Sequence, residues 1–238
     1  MIESILPDYV VAAEAFDDDL DGDLFPEEEA VIERAVRKRR REFRTARICA
    51  RRALGRLGRM PVPILSGSFG EPLWPSGITG SITHCANYRA AVLGTASAIT
   101  AIGIDAEPNE ALPNGVLEAV GRPEEQAQVH ELLRDHPGAR WDRLLFCAKE
   151  AVYKAWFPLG RRRLSFEDAL ITFDPLTGTF TTRLLVTGSR PNGRGLPGFS
   201  GRWLVGDGLI LTTVVVPAAR LWREDHANEA RPVWSTDT

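Results

Sequence analysis

Residues 141–157, Trp141-Asp142-Arg143-Leu144-Leu145-Phe146-Cys147-Ala148-Lys149-Glu150-Ala151-Val152-Tyr153-Lys154-Ala155-Trp156-Phe157, carry the clearest helical pattern in the chain. At about 100° per residue, Trp141, Leu144, Leu145, Ala148, Val152 and Ala155 fall on one side, the stripe that a helix turns to a core. Glu150 and Lys154 fall on the opposite side with Arg143, and Lys149 lies on a flank. Taken alone, that polar side reads as a solvent-facing i,i+4 ion pair worth about 0.3–0.5 kcal/mol. Cys147 and Phe157 share the face and are unusual for open solvent, so a covered polar site is the other reading.

Outward from this helix, Pro123–Arg134 reads as another, opening on Pro123-Glu124-Glu125. β-like runs follow at Ala169–Phe173, Phe180–Leu185, Gly201–Val205 and Leu209–Val216. On the N-terminal side, Phe25-Pro26-Glu27-Glu28-Glu29 opens a helical pattern that continues, with a break, to Leu57, where Gly58 is a stop. Pro61–Gly80 is Pro/Gly/Ser-rich and reads as loop. Ser81–Thr83, Ala90–Leu93 (after a turn at Ala86-Asn87) and Ala98–Ala106 read as strands, and Pro108–Gly115 as a turn-rich connection. The expected organisation is α+β in two similar units. An irregular acidic arm spans 1–24, an N-terminal half 25–107, a C-terminal half 108–216, and a polar, loosely held tail 217–238. The long helix of each half precedes strands, without a repeat in residue identity.

A net charge of −3 over 238 residues gives no global attraction to nucleic acid or anionic membrane. The charge is distributed unevenly. Residues 1–24 hold eight acids and no Lys or Arg, whereas 37–59 hold eleven Lys/Arg and one acid. There is no signal-like N-terminus and no apolar run of membrane-spanning length. Cys49, Cys85 and Cys147 stand far apart, an odd count suited to a reducing compartment, so a cytoplasmic location is expected.

Ala101-Ile102-Gly103-Ile104-Asp105-Ala106-Glu107-Pro108 supplies a second polar feature. On an extended strand Asp105 and Glu107 point to one face, roughly 6–7 Å apart. Such carboxylates repel unless a cation or proton relieves them, and hard oxygens suit Mg²⁺. An ordinary acidic turn into Pro108 fits the short motif equally. His84, in Gly80-Ser81-Ile82-Thr83-His84-Cys85, is either a phosphate donor or a structural histidine. A Cys85–His84 dyad is disfavoured because neighbours on a strand face opposite ways. The basic run 37–54 reads as a solvated face, an anion site or a nucleic-acid surface, and Phe43 alone among aromatics interrupts it. Nucleophile-elbow, P-loop and dinucleotide-loop motifs are absent from the sequence.

These segments together resemble the Sfp-type 4′-phosphopantetheinyl transferases, in the branch of enterobactin synthase component D and the actinobacterial PptT enzymes. The matching stretches begin with Arg41-Glu42-Phe43 through Ala53-Leu54 and Gly70-Glu71-Pro72-Leu73-Trp74-Pro75. They continue with Gly80–Cys85, Gly103–Pro108 and Phe146–Trp156. The most specific element is GxDxE followed, after an interval, by [WF]xxKE[AS]xxK.

The resemblance implies two pseudo-symmetric halves, a superfamily core over about 100–190, and coenzyme A in the cleft between the halves. It implies transfer of phosphopantetheine from coenzyme A to a serine of acyl or peptidyl carrier proteins, releasing adenosine 3′,5′-bisphosphate. The carriers would belong to fatty-acid, polyketide or nonribosomal-peptide (including siderophore) synthases, and the enzyme would be a monomer. Asp105, Glu107 and Glu150 would bind Mg²⁺, with Mn²⁺ as an alternative. Glu150 and Lys154 would be catalytic, and Lys149 and Lys154 would contact phosphates. Thr83 and His84 would meet the nucleotide phosphates, Arg47 and Arg39 the 3′-phosphate, and Gly70-Glu71-Pro72 the adenine. Ser66, Ser68, Phe69 and Glu71 stand where many relatives carry lysines, and Ala46 where a Gly often precedes the arginine. Two other readings remain beside it: a nucleic-acid binder using 37–59, and a different Mg²⁺ phosphotransferase.

Overall fold

A computed structural model describes residues 1–186 and 197–218, so the expected tail beyond Ala218 lies outside the described residues. Two antiparallel sheets form its frame. Strands β1 (Val11–Ala15), β2 (Ile78–Cys85) and β3 (Tyr88–Thr95) pair in the order β1-β3-β2. Strands β4 (Ile99–Pro108), β5 (Ala169–Asp174), β6 (Thr179–Leu184), β7 (Gly198–Gly206) and β8 (Leu209–Pro217) pair in the order β4-β8-β7-β6-β5. The β2–β3 hairpin closes on Ala86-Asn87, as the sequence suggests, with Asn87 at φ 55° in the left-handed region that asparagine tolerates.

The helices are α1 (Pro26–Ile32), α2 (Arg37–Arg56), α3 (Val116–Val120), α4 (Pro123–Asp135) and α5 (Trp141–Gly160). The expected break in the first helical pattern falls between α1 and α2, and α2 stops before Gly58, whose φ is +68°. Each sheet carries one twenty-residue helix, α2 on the first and α5 on the second. The halves share that plan and differ in strand number.

Period-two alternation assigns each strand residue to a layer. On β3, Ala91 and Leu93 pack under α2 with Cys49, Ala53 and Leu54, while Tyr88, Ala90 and Val92 face the second sheet. On β4, Ile102, Ile104 and Ala106 meet that same inter-sheet core, whereas Ala101, Gly103 and Asp105 turn towards α5.

Two sequence expectations change. Residues 1–24 are not an irregular, solvated arm: Ile2–Ile5 form a 3-10 helix, and β1 pairs with β3 from Val11↔Leu93 to Ala15↔Arg89. The flanking acids hid this apolar segment, and several of them have partners. Glu14 accepts from the Tyr88 hydroxyl at 2.7 Å, and Asp18 pairs with Arg89 at 2.9 Å. Also, β4 was expected in the N-terminal half but pairs with β8, from Ala101↔Val216 to Pro108↔Leu209. The two edge strands β2 and β4 meet through hydroxyls instead of a backbone ladder. Ile104 N–H donates to Ser81 Oγ and Ala106 N–H to Thr83 Oγ1, each at 3.1 Å.

Glu28, read from sequence as a first-turn acid, is fully buried. It accepts from Arg51 at 2.8 and 3.0 Å, from Ile64 N–H at 2.8 Å and from Phe25 N–H at 3.0 Å. Removing one member of a buried pair strands the other charge. Glu28→Ala is therefore expected to cost about 3–5 kcal/mol, read from the midpoint of urea unfolding followed by circular dichroism.

Candidate active site

A cleft of about 530 Å³ opens between α2, the loop after it, β2 and α5. Arg39 and Arg47 enter it from α2, and Gly70, Glu71 and Pro72 from the loop. His84 enters from β2, and Glu150 and Lys154 from α5. The polar side of α5 thus faces a covered site rather than open solvent.

One end of the cleft is cationic. Arg39 Nη1 stands 2.7 Å from His84 Nε2, and burial followed by the Arg39 charge holds the His84 pKa below its ordinary value. The imidazole is therefore neutral and accepts from the guanidinium. Arg47 is 6% exposed, donates to Ile64 O at 2.6 Å and Ser66 Oγ at 3.2 Å, and lies 4.0 Å from the Phe43 ring centre. Burial lowers its pKa to about 10, which leaves it charged at neutral pH. Glu71 accepts from Phe69 N–H at 3.0 Å and stands 4.0 Å from Arg161, so its carboxylate braces the loop.

The other end sits over the β2–β4 seam. Lys154 Nζ donates to Asp105 Oδ1 at 2.8 Å, Ile104 O at 3.0 Å and Ile82 O at 3.4 Å, touching both edge strands. Thr83 Oγ1 donates to the same Asp105 oxygen at 3.1 Å, beneath the cleft rather than in its lining. Glu107 pairs with Arg143 at 3.0 Å. Glu150 has no hydrogen bond or ion pair among the described residues. Burial and the Asp105 charge raise the pKa of both Glu107 and Glu150.

The three expected metal ligands therefore share one electrostatic neighbourhood without closing a ligand shell. Among the described residues, no group of three or more His, Cys, Asp or Glu side chains is arranged to hold a metal ion. The donor chemistry nonetheless fits a hard divalent cation. Among the described residues Asp105 Oδ2 is buried without a hydrogen-bond partner, and its neighbouring carboxylates carry the mutual repulsion that such a cation relieves.

Lys149, expected from the resemblance to contact phosphates, stands outside the lining of the larger cleft. Its ammonium donates to Glu125 Oε2 at 2.7 Å, Phe166 O at 2.7 Å and Ala169 O at 3.1 Å, and its side chain is 1% exposed. Lys154 also has three acceptors, so what sets Lys149 apart is burial and place: the Lys154 side chain is 28% exposed and lines the larger cleft, whereas Lys149 does not line it. One position along the helix rotates Lys149 off the cleft face and into contact with α4 and β5. It floors a smaller hollow of about 220 Å³, lined also by Glu150, Tyr153, Arg163, Leu164 and Phe166. Glu150 and Tyr153 border both cavities.

Sequence reading placed Phe157 on this face but passed over the Tyr153 and Phe69 rings that line the cleft with it. Tyr153 and Phe157 stand 6.0 Å apart between ring centres, and Phe69 reaches across the cleft to 5.2 Å from Phe157. The signal was available in the spacing, since Tyr153 and Phe157 follow Glu150 by three and seven positions on one helix face.

Comparison with known proteins agrees with this geometry. Residues 27–94 match the 4′-phosphopantetheinyl transferase N-terminal domain, and 101–192 match the 4′-phosphopantetheinyl transferase superfamily. The chain is 48% identical to 4′-phosphopantetheinyl transferase Svp of Streptomyces mobaraensis over 97% of its length and 95% of that protein. It is 50% identical to PptT of Mycobacterium tuberculosis, over 91% of this chain and 98% of that one. The chain belongs to the 4′-phosphopantetheinyl transferase family. Enterobactin synthase component D of Salmonella typhimurium is a more distant relative, 36% identical over 51% of the chain and 50% of that protein. The superfamily match begins within β4, which agrees with the pairing of that strand to the second sheet. As a transferase of this family it uses coenzyme A and acts on carrier proteins. No helix among the described residues is long and apolar enough to cross a membrane.

Proposed function

We propose that this transferase moves 4′-phosphopantetheine from coenzyme A to a serine of an apo carrier protein, with Glu150 as the base and Asp105, Glu107 and Glu150 as holders of Mg²⁺ or Mn²⁺. The observation that carries the assignment is the position of Glu150 and Tyr153 at the junction of the two hollows. The larger cleft has cations at its far end for the adenosine 3′-phosphate (Arg39, Arg47, and His84 beside them). The pyrophosphate then lies next to Lys154 and Glu150, and the pantetheine arm continues past Tyr153 into the smaller hollow.

Phosphoryl transfer is governed by positioning and charge neutralisation more than by covalent help. Glu150, which makes no hydrogen bond among the described residues, accepts the serine proton. The serine Oγ forms a bond to the β-phosphorus as the bond from that phosphorus to the bridging oxygen breaks. Adenosine 3′,5′-bisphosphate leaves with the electron pair. Lys154, fixed by Asp105 and the β-strand carbonyls, offsets charge that develops on the phosphates. The cation, when bound, neutralises pyrophosphate charge. Both cleft walls come from one chain, which supports a monomer as the working unit.

Incubation with coenzyme A, Mg²⁺ and a panel of apo carriers from fatty-acid, polyketide and nonribosomal-peptide synthases tests the reading. The expected outcome is a carrier mass increase of one phosphopantetheine. A panel left entirely unmodified would sink the proposal.

A further inference from the structure

We infer that Lys149 is a positioning residue for the pantetheine arm: it pins the wall of the smaller hollow to α5 and does not contact the coenzyme A phosphates. The inference rests on the proposed path of coenzyme A through the two hollows. Three acceptors surround the ammonium. Phe166 O and Ala169 O belong to the segment that walls the hollow, and Glu125 belongs to α4. Glu125 is itself fully engaged: Oε2 also accepts from Arg122 N–H at 2.7 Å, at the start of α4, and Oε1 from Ile171 N–H at 2.7 Å on β5. The pair is therefore a buried knot joining α4, α5 and the 166–171 segment, each ion 1% exposed.

The knot lies one residue from Glu150. Phe166, whose carbonyl Lys149 holds, stacks its ring 6.0 Å from Phe146 of α5, so the wall has one polar and one aromatic attachment to that helix. Without the ammonium, two carbonyls and a carboxylate face one another, and the segment must move to find water. Movement of the wall changes the space available to the arm. It leaves Arg39, Arg47 and His84, across the larger cleft, where they are.

The test compares two ligands by calorimetry: coenzyme A, and 3′-phosphoadenosine 5′-diphosphate, which keeps the three phosphates and lacks the arm. The protein is Lys149→Met combined with Glu125→Gln, so that no buried charge is left alone. The expected result is a loss of at least about tenfold in affinity for coenzyme A, with 3′-phosphoadenosine 5′-diphosphate within about twofold of the wild type. Equal losses for both ligands would overturn the inference in favour of phosphate contact. Unchanged binding of both would reduce the knot to a structural feature. If the double variant does not fold, Lys149→Arg, which keeps the charge while its planar fork cannot reproduce the three-way geometry, must show the same selective loss. Wild-type protein that binds coenzyme A no better than 3′-phosphoadenosine 5′-diphosphate would instead count against the arm path on which the inference rests.

Discussion

Glu150→Gln is expected to lower transfer by about 10²–10⁴-fold, the usual contribution of a positioned general base, while the protein stays folded. The substitution keeps shape and volume and removes the charge and the basic oxygen. Glu150 makes no hydrogen bond or ion pair among the described residues, so no structural contact is lost with it. Its environment also argues for function: burial and Asp105 both oppose its ionised form, an arrangement that costs stability and clusters at working sites. Asp105 is a less clean probe, because its carboxylate also fixes Lys154 and takes the Thr83 hydroxyl. The measurements are single-turnover conversion of apo to holo carrier by mass and the thermal midpoint of each protein. A Gln variant within threefold of the wild-type rate would show that solvent takes the serine proton and that Glu150 is dispensable.

The site was legible in sequence where local periodicity governs it. Asp105 and Glu107 share a strand face because side chains alternate, and Glu150 with Lys154 leaves the core stripe because a helix repeats every 3.6 residues. Contacts between elements remote in sequence were hidden. Nothing near Lys149 announces Glu125 on another helix, and the helical wheel puts Lys149 only on a flank, without naming what it meets there. The structure sends Lys149 and Lys154, five residues apart on α5, to different partners: Lys154 reaches the β2–β4 seam, while Lys149 turns into a knot with α4. Likewise β4 precedes its partner β8 by most of the C-terminal half, so pairing such as Ile104↔Thr213 left no local trace. The strand β1 was missed for another reason. Its apolar run is short and set among Asp8, Glu14 and Asp17–Asp19, and composition outweighed pattern until Tyr88 and Arg89 were seen to partner two of those acids. Residues in GSITHC gain a role that no motif reading supplied, since Ser81 and Thr83 satisfy the β4 backbone where two sheet edges meet.

Gly103→Ala is expected to produce the largest combined loss, about 3 kcal/mol of stability together with about 10²-fold in transfer rate. Gly103 does not adopt a positive φ, so backbone conformation is not the reason for glycine. The reason is the approach of α5. A Cβ at this position would stand 1.9 Å from Ala151 O, 2.9 Å from Ala151 C and 2.7 Å from Ala155 N, all backbone atoms of that helix. No rotamer change relieves such a contact; either α5 or β4 must shift. Ala151 follows Glu150 directly and Ala155 follows Lys154, while Asp105 lies two residues beyond Gly103 on the same strand face. A shift of even an ångström therefore separates the base and the lysine from the strand that fixes them, stretching the Lys154 contacts of 2.8 Å to Asp105 and 3.0 Å to Ile104 O. This makes the glycine of GxDxE a spacer that sets the distance between the two carboxylate-bearing elements. Denaturant unfolding and single-turnover transfer on the same preparation check both halves of the expectation. An alanine variant with wild-type stability and rate would mean that β4 and α5 are not in the close contact from which the active site is assembled. A variant that loses stability alone, at unchanged rate below its unfolding transition, would confine the role of Gly103 to packing and free the site geometry from it.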